Sequence, residues 1–234
     1  MRKRERNKLR LVWLITISVA ILDLTLFISK GLTWRRNDVG SFSFILLLLI
    51  FWALATAARR LTARNWVFTR AAVFFEALLI LVLFSIGCSL LSYFVTEADF
   101  PFVDPELRAI DHALGFHWHA LEAWTDGRAA IWQLLILAYE SMLFQSIFIL
   151  LFSVFTDNDE LIADFFLMSM AAALAAAGIS AVLPALGETG AIGPRHIVAL
   201  LNARRGNLHA LSLSDVVELV TFPSFHAAMD VIPA

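Results

Sequence analysis

The chain has 234 residues, 60% apolar and only 16% charged, with a formal net charge of −2 and a mean hydropathy of +0.77. Soluble domains average about 25% charged residues, so the polar surface is too small to coat a water-soluble body, and the chain reads as a polytopic membrane protein. Nucleic-acid binding is excluded too, because no basic stripe interleaves with aromatics outside the N-terminal tail, and the single cysteine, Cys88, excludes an intrachain disulfide or a cysteine-based metal site.

In lipid a helix is the only open-ended way for a backbone to satisfy its own N–H and C=O groups, so spans can be read as uncharged stretches. Five qualify: about Leu11–Ile28 (interrupted by Asp23), Ser41–Ala58, Ala71–Thr96 (with Glu76 near its start), Ala129–Thr156 (with Glu140) and Phe165–Gly187. The first has no small-residue cleavage site before Lys30 and reads as a retained anchor. The fifth contains the small-residue run Ala171–Ala177, which lets helix backbones approach closely. The expected fold is all-α: a polytopic membrane helix bundle with five full transmembrane helices, the start of a sixth, and an outer interfacial helix.

Lys and Arg are retained on the cytoplasmic side. The tail carries Arg2, Lys3, Arg4, Arg6, Lys8 and Arg10, and the loop between spans two and three adds Arg59, Arg60, Arg64 and Arg70. A cytoplasmic N-terminus follows, with 97–128 and 188–222 outside. Lys30, Arg35 and Arg36 then lie outside, against the rule, but ten basic residues outweigh these three.

The outer segment Asp104–Ala123 reads as one interfacial helix capped by Asp104, with Pro105 early in it and Leu107, Ile110, Leu114 and Trp118 at helical spacing. Its histidines, His112, His117 and His119, lack the i, i+4 pairing of a zinc site, so no metal is expected. No pair of corresponding broken helices suggests a transporter. Among the acidic residues at membrane depth, Glu76 is near enough to the cytoplasmic end to reach the interface, whereas Asp23 is open to either a structural or a functional role. Glu140 is about 16 Å below the start of its helix, with Tyr139, Ser141 and Gln145 nearby; this cluster is either an interhelical seam or the floor of a polar cavity.

The stretch most informative about chemistry is Thr221-Phe222-Pro223-Ser224-Phe225-His226-Ala227-Ala228-Met229. Pro223 is suited to the first helical position, which leaves the N–H groups of Ser224, Phe225 and His226 without intrahelical acceptors, an arrangement that favours a phosphate. The Ser224 hydroxyl adds a donor, and His226 can give a proton to a leaving oxygen. The preceding loop supplies Arg195, Arg204 and Arg205, whose planar forks suit phosphate oxygens. The bland alternative, a helix-capping histidine with arginines facing headgroups, stays open on local physics alone.

Together, FPSFHA, VLPALGETG at the end of span five, the outer LGFHW and AYESMLFQ in span four resemble the type 2 phosphatidic acid phosphatase superfamily. They are most similar to its inositolphosphotransferase (inositol phosphorylceramide synthase-like) branch, in which a bulky residue replaces the glycine of PSGH. The resemblance covers Val103 to the end, dividing the chain into an N-terminal three-span segment (1–100) and a phosphatase-like segment (101–234). It implies a six-span bundle and a metal-independent extracytoplasmic site without cofactor. It also implies hydrolysis or transfer of a lipid or isoprenoid phosphate ester through a phosphohistidine, in a plasma or inner membrane. Ser224 would bind the phosphoryl group with help from Phe225, Arg195 and Arg204, and His226 would protonate the leaving group.

Two parts of the family pattern are missing. The first motif, K-x6-R-P, is replaced by Pro184-Ala185-Leu186-Gly187, and the third, S-R-x5-H-x3-D, which carries the nucleophilic histidine, is not found. His226 and Asp230 read H-x3-D, but Leu219 and Val220 stand where Ser and Arg belong. A chain truncated at its C-terminus is therefore expected. The alternative function is a relative that binds anionic headgroups, or scaffolds membrane proteins, without turnover. The partners expected are membrane lipids and no nucleic acid; the sequence specifies no oligomer.

Overall fold

A computed structural model of the chain describes residues 3–34, 39–61, 65–97, 100–186, 201–202, 204–205 and 210–211. Among them are eight helices: α1 (Lys3–Ser29), α2 (Val39–Leu61), α3 (Trp66–Thr96), α4 (Asp104–Ala113), α5 (Trp118–Asp126), α6 (Ala129–Glu140), α7 (Met142–Phe155) and α8 (Asp159–Val182). Two short strands, β1 (Thr33–Trp34) and β2 (Ala210–Leu211), pair in parallel with Thr33 opposite Ala210.

The long helices begin where side chains can satisfy their free N–H groups. Asn65 accepts a hydrogen bond from Val67 N–H at 3.2 Å ahead of α3, and Asn158 accepts from Leu161 N–H at 3.0 Å ahead of α8. Asp159 and Glu160 in the first turn of α8 face the positive end of its dipole. The chain reverses between α7 and α8 through Asp157 at φ +60, a left-handed conformation that aspartate tolerates better than most residues.

α1, α3 and α8 are each long and apolar enough to cross a membrane. α2 forms where the second span is expected. The expected fourth span is interrupted: α6 and α7 meet at a 44° bend and count as a crossing only as a bent pair. Three to four spans are thus supported among the described residues, and the expected five full ones are not. The bend has a local cause. Ser141 N–H is shared between the carbonyls of Leu137 (2.9 Å) and Ala138 (3.3 Å), and its hydroxyl donates to Ala138 O at 2.7 Å. Back-bonding of this kind tightens and bends a helix.

The outer segment also differs from the single expected helix. It splits into α4 and α5 at Gly115, which adopts φ +78. Gly115 N–H donates to His112 O at 3.0 Å and Phe116 N–H to Asp111 O at 2.8 Å, the paired bonds by which a left-handed glycine closes a helix. The periodic Leu114 and Trp118 therefore belong to the break and to the second helix.

The core is built by α1, α3, α7 and α8 around the buried Val12, Val19, Ile80, Phe84, Leu150, Ile162, Phe166 and Met170. Within the small-residue run of α8, Ala173, Ala176 and Ala177 are buried. No residue of α6 is buried among its neighbours.

Polar contacts set the alignment. Lys8 Nζ meets Glu160 Oε1 at 2.8 Å and Asp164 Oδ1 at 2.6 Å; Arg70 pairs with Asp157 and, at 2.9 Å, with Asp159. Trp13 Nε1 donates to Glu76 Oε1 at 3.0 Å, and Arg59 pairs with the same carboxylate. The N-terminal ends of α1, α3 and α8 therefore lie together.

Replacing Arg70 with Ala strips the part-buried Asp159 of its partner and should cost about 1.5–3 kcal/mol, a fall of roughly 3–12 °C in apparent melting temperature at this chain length. Arg60→Ala, at an exposed position, should stay within about 0.5 kcal/mol. Thermal unfolding of both variants in detergent checks this; equal shifts would count against a structural role for the Arg70 pair.

Candidate functional site

At the end of the bundle opposite the ion pairs, five segments of the chain converge. The buried Tyr93 of α3 packs with Phe27 of α1 and Leu32 just after it, Phe102 before α4, Leu186 after α8, and Leu201. Lys30 pairs with Glu97, tying the exits of α1 and α3.

The start of α4 is joined to the exit of α8. Val103 N–H donates to Pro184 O at 2.9 Å, and Leu186 N–H lies 3.0 Å from both carboxylate oxygens of Asp104. Asp104 was expected to cap its own helix, but Val103 occupies the cap position and Asp104 stands inside α4 with Pro105 beside it. Its carboxylate instead satisfies a backbone donor of the Pro184-Ala185-Leu186 segment. That long-range role carries no local sequence signal, because the Asp-Pro pair reads equally well as an ordinary helix start.

Arg204 reaches the same junction. Its guanidinium donates to Phe100 O and lies 4.0 Å from the centre of the Phe102 ring, a cation–π contact. This expected phosphate ligand is thus held beside the 100–102 segment. Arg195, Ser224, Phe225 and His226 lie outside the described residues, as does Asp230. β2 brings residues 210–211, upstream of Ser224, beside the turn that follows α1.

Tyr139, Glu140 and Gln145 sit at the bend between α6 and α7, and all three are exposed among the described residues. Gln145 Nε2 donates to Ser141 Oγ at 2.7 Å, so the expected i, i+4 pair does form. The outer histidines gather with Arg108 and Asp111 around a hollow of about 310 Å³, where the His112 and His117 rings meet edge to face at 4.6 Å. Among the described residues no group of three or more His, Cys, Asp or Glu side chains converges as a metal site would require.

Residues 105–234, more than half of the chain, match the PAP2 superfamily. The chain belongs to the PAP2 superfamily. No curated protein and no solved structure matches it. The match takes in α4 to α8, Arg195, Arg204 and the Pro223–His226 stretch, and leaves α1 to α3 outside. Membership in the PAP2 superfamily, with several helices able to cross a membrane, makes this an integral membrane protein. It implies lipid phosphatase or phosphotransferase activity in general, on phosphorylated lipids.

If the Asp104 carboxylate holds the α8 exit, Asp104→Ala should accelerate amide exchange at Leu186 by about tenfold or more, as a protected N–H loses its acceptor. Hydrogen exchange followed by mass spectrometry reads this directly. An unchanged rate would mean that the junction is held by the Val103–Pro184 bond and by packing alone.

Proposed function

We propose that this PAP2 protein cleaves or transfers a lipid phosphate ester at the extracytoplasmic face, with Ser224 binding the phosphoryl oxygens and His226 protonating the leaving oxygen. The observation that carries the reading is the superfamily match over 105–234, which contains Pro223-Ser224-Phe225-His226. A helix start at Pro223 would present N–H groups to the phosphate, and the arginines would neutralise its charge.

The orientation rests on charge. Lys8, Arg59 and Arg70 are bound into the ion-paired end of the bundle, which is the end a cytoplasmic bias would retain. Lys30, one of three basic residues at odds with that bias, is paired with Glu97. The end carrying Arg204 and the Asp104–Leu186 junction would then face outward. A bundle of five spans with a sixth beginning near Pro223 fits this reading, with the chain divided near residue 101.

Phe225, in the place of the glycine of PSGH, favours the inositolphosphotransferase branch. In that reading the phosphoryl group passes from the donor lipid to a histidine, and the departing oxygen takes its proton from His226. Water or a lipid hydroxyl then breaks the P–N bond. The second reading is headgroup binding without turnover, in which Arg204 and its neighbours only hold the phosphate.

Phosphate release from a lipid phosphate, and transfer of inositol phosphate from an inositol phospholipid to a lipid alcohol, should be measured with the purified protein. Loss of a positioned proton donor costs about 10²–10⁴-fold in rate, so His226→Ala should fall by that much, and Ser224→Ala should also be impaired. Equal rates in wild type and His226→Ala would remove His226 from the mechanism. Headgroup binding with neither turnover nor a trapped phosphohistidine would establish the second reading.

Orientation has its own test. In a Cys88→Ser background, a cysteine placed at Leu114 should react with a membrane-impermeant maleimide on intact cells, and one placed at Arg60 only after permeabilisation. The reverse pattern would invert the topology.

A further inference from the structure

Asp23 lies six residues before the end of α1, about 9 Å along the helix. It is 5% exposed, and neither carboxylate oxygen has a hydrogen-bond partner. Among the described residues it is the only acidic side chain buried in this way. Glu76, the acidic residue within α3, is bound by Trp13 and Arg59.

The carboxyl group borders a cavity of about 300 Å³ between α1 and α3, lined otherwise by apolar side chains, among them Leu24, Phe27, Leu83 and Leu90. Ala20 and Leu24 on its α1 side are exposed, so it opens sideways, toward lipid. Gly87 borders it and lets α1 pack closely on α3. A Cβ there would come within 2.9 Å of Val19 Cγ1 and 3.3 Å of Asp23 Oδ2. An apolar pocket with one convergent polar group is the usual form of a small-ligand site, and an unpartnered ionisable residue at membrane depth is a functional candidate by default.

We propose that the α1–α3 cavity binds a neutral membrane lipid, whose hydroxyl or amide N–H donates to Asp23 while its hydrocarbon chain lies along Leu24, Phe27, Leu83 and Leu90. A hydroxyl suits either protonation state of the carboxyl, since an ionised carboxylate accepts and a protonated one both donates and accepts. An ammonium group would have to leave the headgroup layer and shed its water to reach the same depth. Neutral lipid classes with the required donor include monohydroxy glycerides, N-acylated long-chain amino alcohols and long-chain alcohols. The site stands on α1 and α3, outside the superfamily match, and does not rest on the catalytic reading.

Photoactivatable diglyceride, N-acyl amino alcohol and phosphatidylcholine probes, the last without a backbone donor, should be cross-linked to the full chain in nanodiscs and the labelled peptides mapped. Expected is labelling of segments 20–27 and 83–90 by one or both donor-bearing probes, and little by phosphatidylcholine. Labelling by the amino alcohol alone assigns an amide-dependent ligand; labelling by both assigns the hydroxyl. Asp23→Leu should lower the signal at least tenfold, whereas Asp23→Asn, whose amide carbonyl still accepts, should retain most of it. Leucine is favoured in a span, so Asp23→Leu is expected to fold, with elution on size exclusion as the check. Should Asp23→Leu misfold, the Asn variant and the phosphatidylcholine control decide. Equal labelling by phosphatidylcholine, undiminished labelling of a folded Asp23→Leu, or stronger competition by a cationic amphiphile than by a neutral alcohol would overturn the proposal.

Discussion

The layer of ion pairs at the N-terminal ends of α1, α3 and α8 is the constraint on which the rest of the bundle depends. In lipid, burying a leucine against another helix gains little over burying it in acyl chains, so apolar surface alone does not select one alignment. Charges do. Lys8 with Glu160 and Asp164, and Arg70 with Asp157 and Asp159, specify which turns of the three helices are level. Three parallel helices also bring the positive ends of their dipoles together, an arrangement that would repel without neighbouring anions. Asp157, Asp159 and Glu160 stand at the start of α8, and α2 arrives antiparallel with Arg59 in its last turn, where a cation is favoured.

Once that end is level, the other is determined by helix length. The exits of α1 and α3 come close enough for the Lys30–Glu97 pair, and α8 delivers Pro184 and Leu186 to the start of α4. The superfamily match begins only at residue 105, yet the cluster around Tyr93 draws on α1, α3 and the segment before α4. α1 and α3 are therefore part of the scaffold of the junction that holds Arg204, although the superfamily match does not reach them.

Much of the fold was legible because lipid is a simple solvent: an uncharged run long enough to cross must be helical, and each such run has a helix in the structure. The misreadings fall where a local hydrogen bond defeats periodicity. Leu114 and Trp118 continue the i, i+4 rhythm of α4, but Gly115 between them can take a positive φ and terminates the helix. Ser141 lies in a run apolar enough for a single span and still bends it, because its hydroxyl competes for a carbonyl one turn back. The Asp104 bond to Leu186 spans 82 positions, beyond the reach of any local pattern. Of the expected phosphate ligands, Arg204 falls among the described residues, held by Phe100 and Phe102. The Ser224 and His226 reading rests on motif and family instead.

Asp23, Glu76 and Glu140 interrupt the otherwise uncharged stretches, and their different surroundings show why residue type alone does not assign a role. Glu76 is near the charged end, where the Trp13 indole and the Arg59 guanidinium can reach it, and it is absorbed into the ion-paired layer. Glu140 ends α6 at an exposed bend. Asp23 is neither near a cation nor exposed. It lies against Gly87 on the adjacent helix, where α1 and α3 approach closely, and borders the apolar cavity beside that contact. A buried carboxyl that served only packing would be better replaced by an apolar side chain of similar volume. Packing alone therefore gives no reason for an aspartate beside Gly87, and a hydrogen-bond donor entering the cavity from outside the chain does.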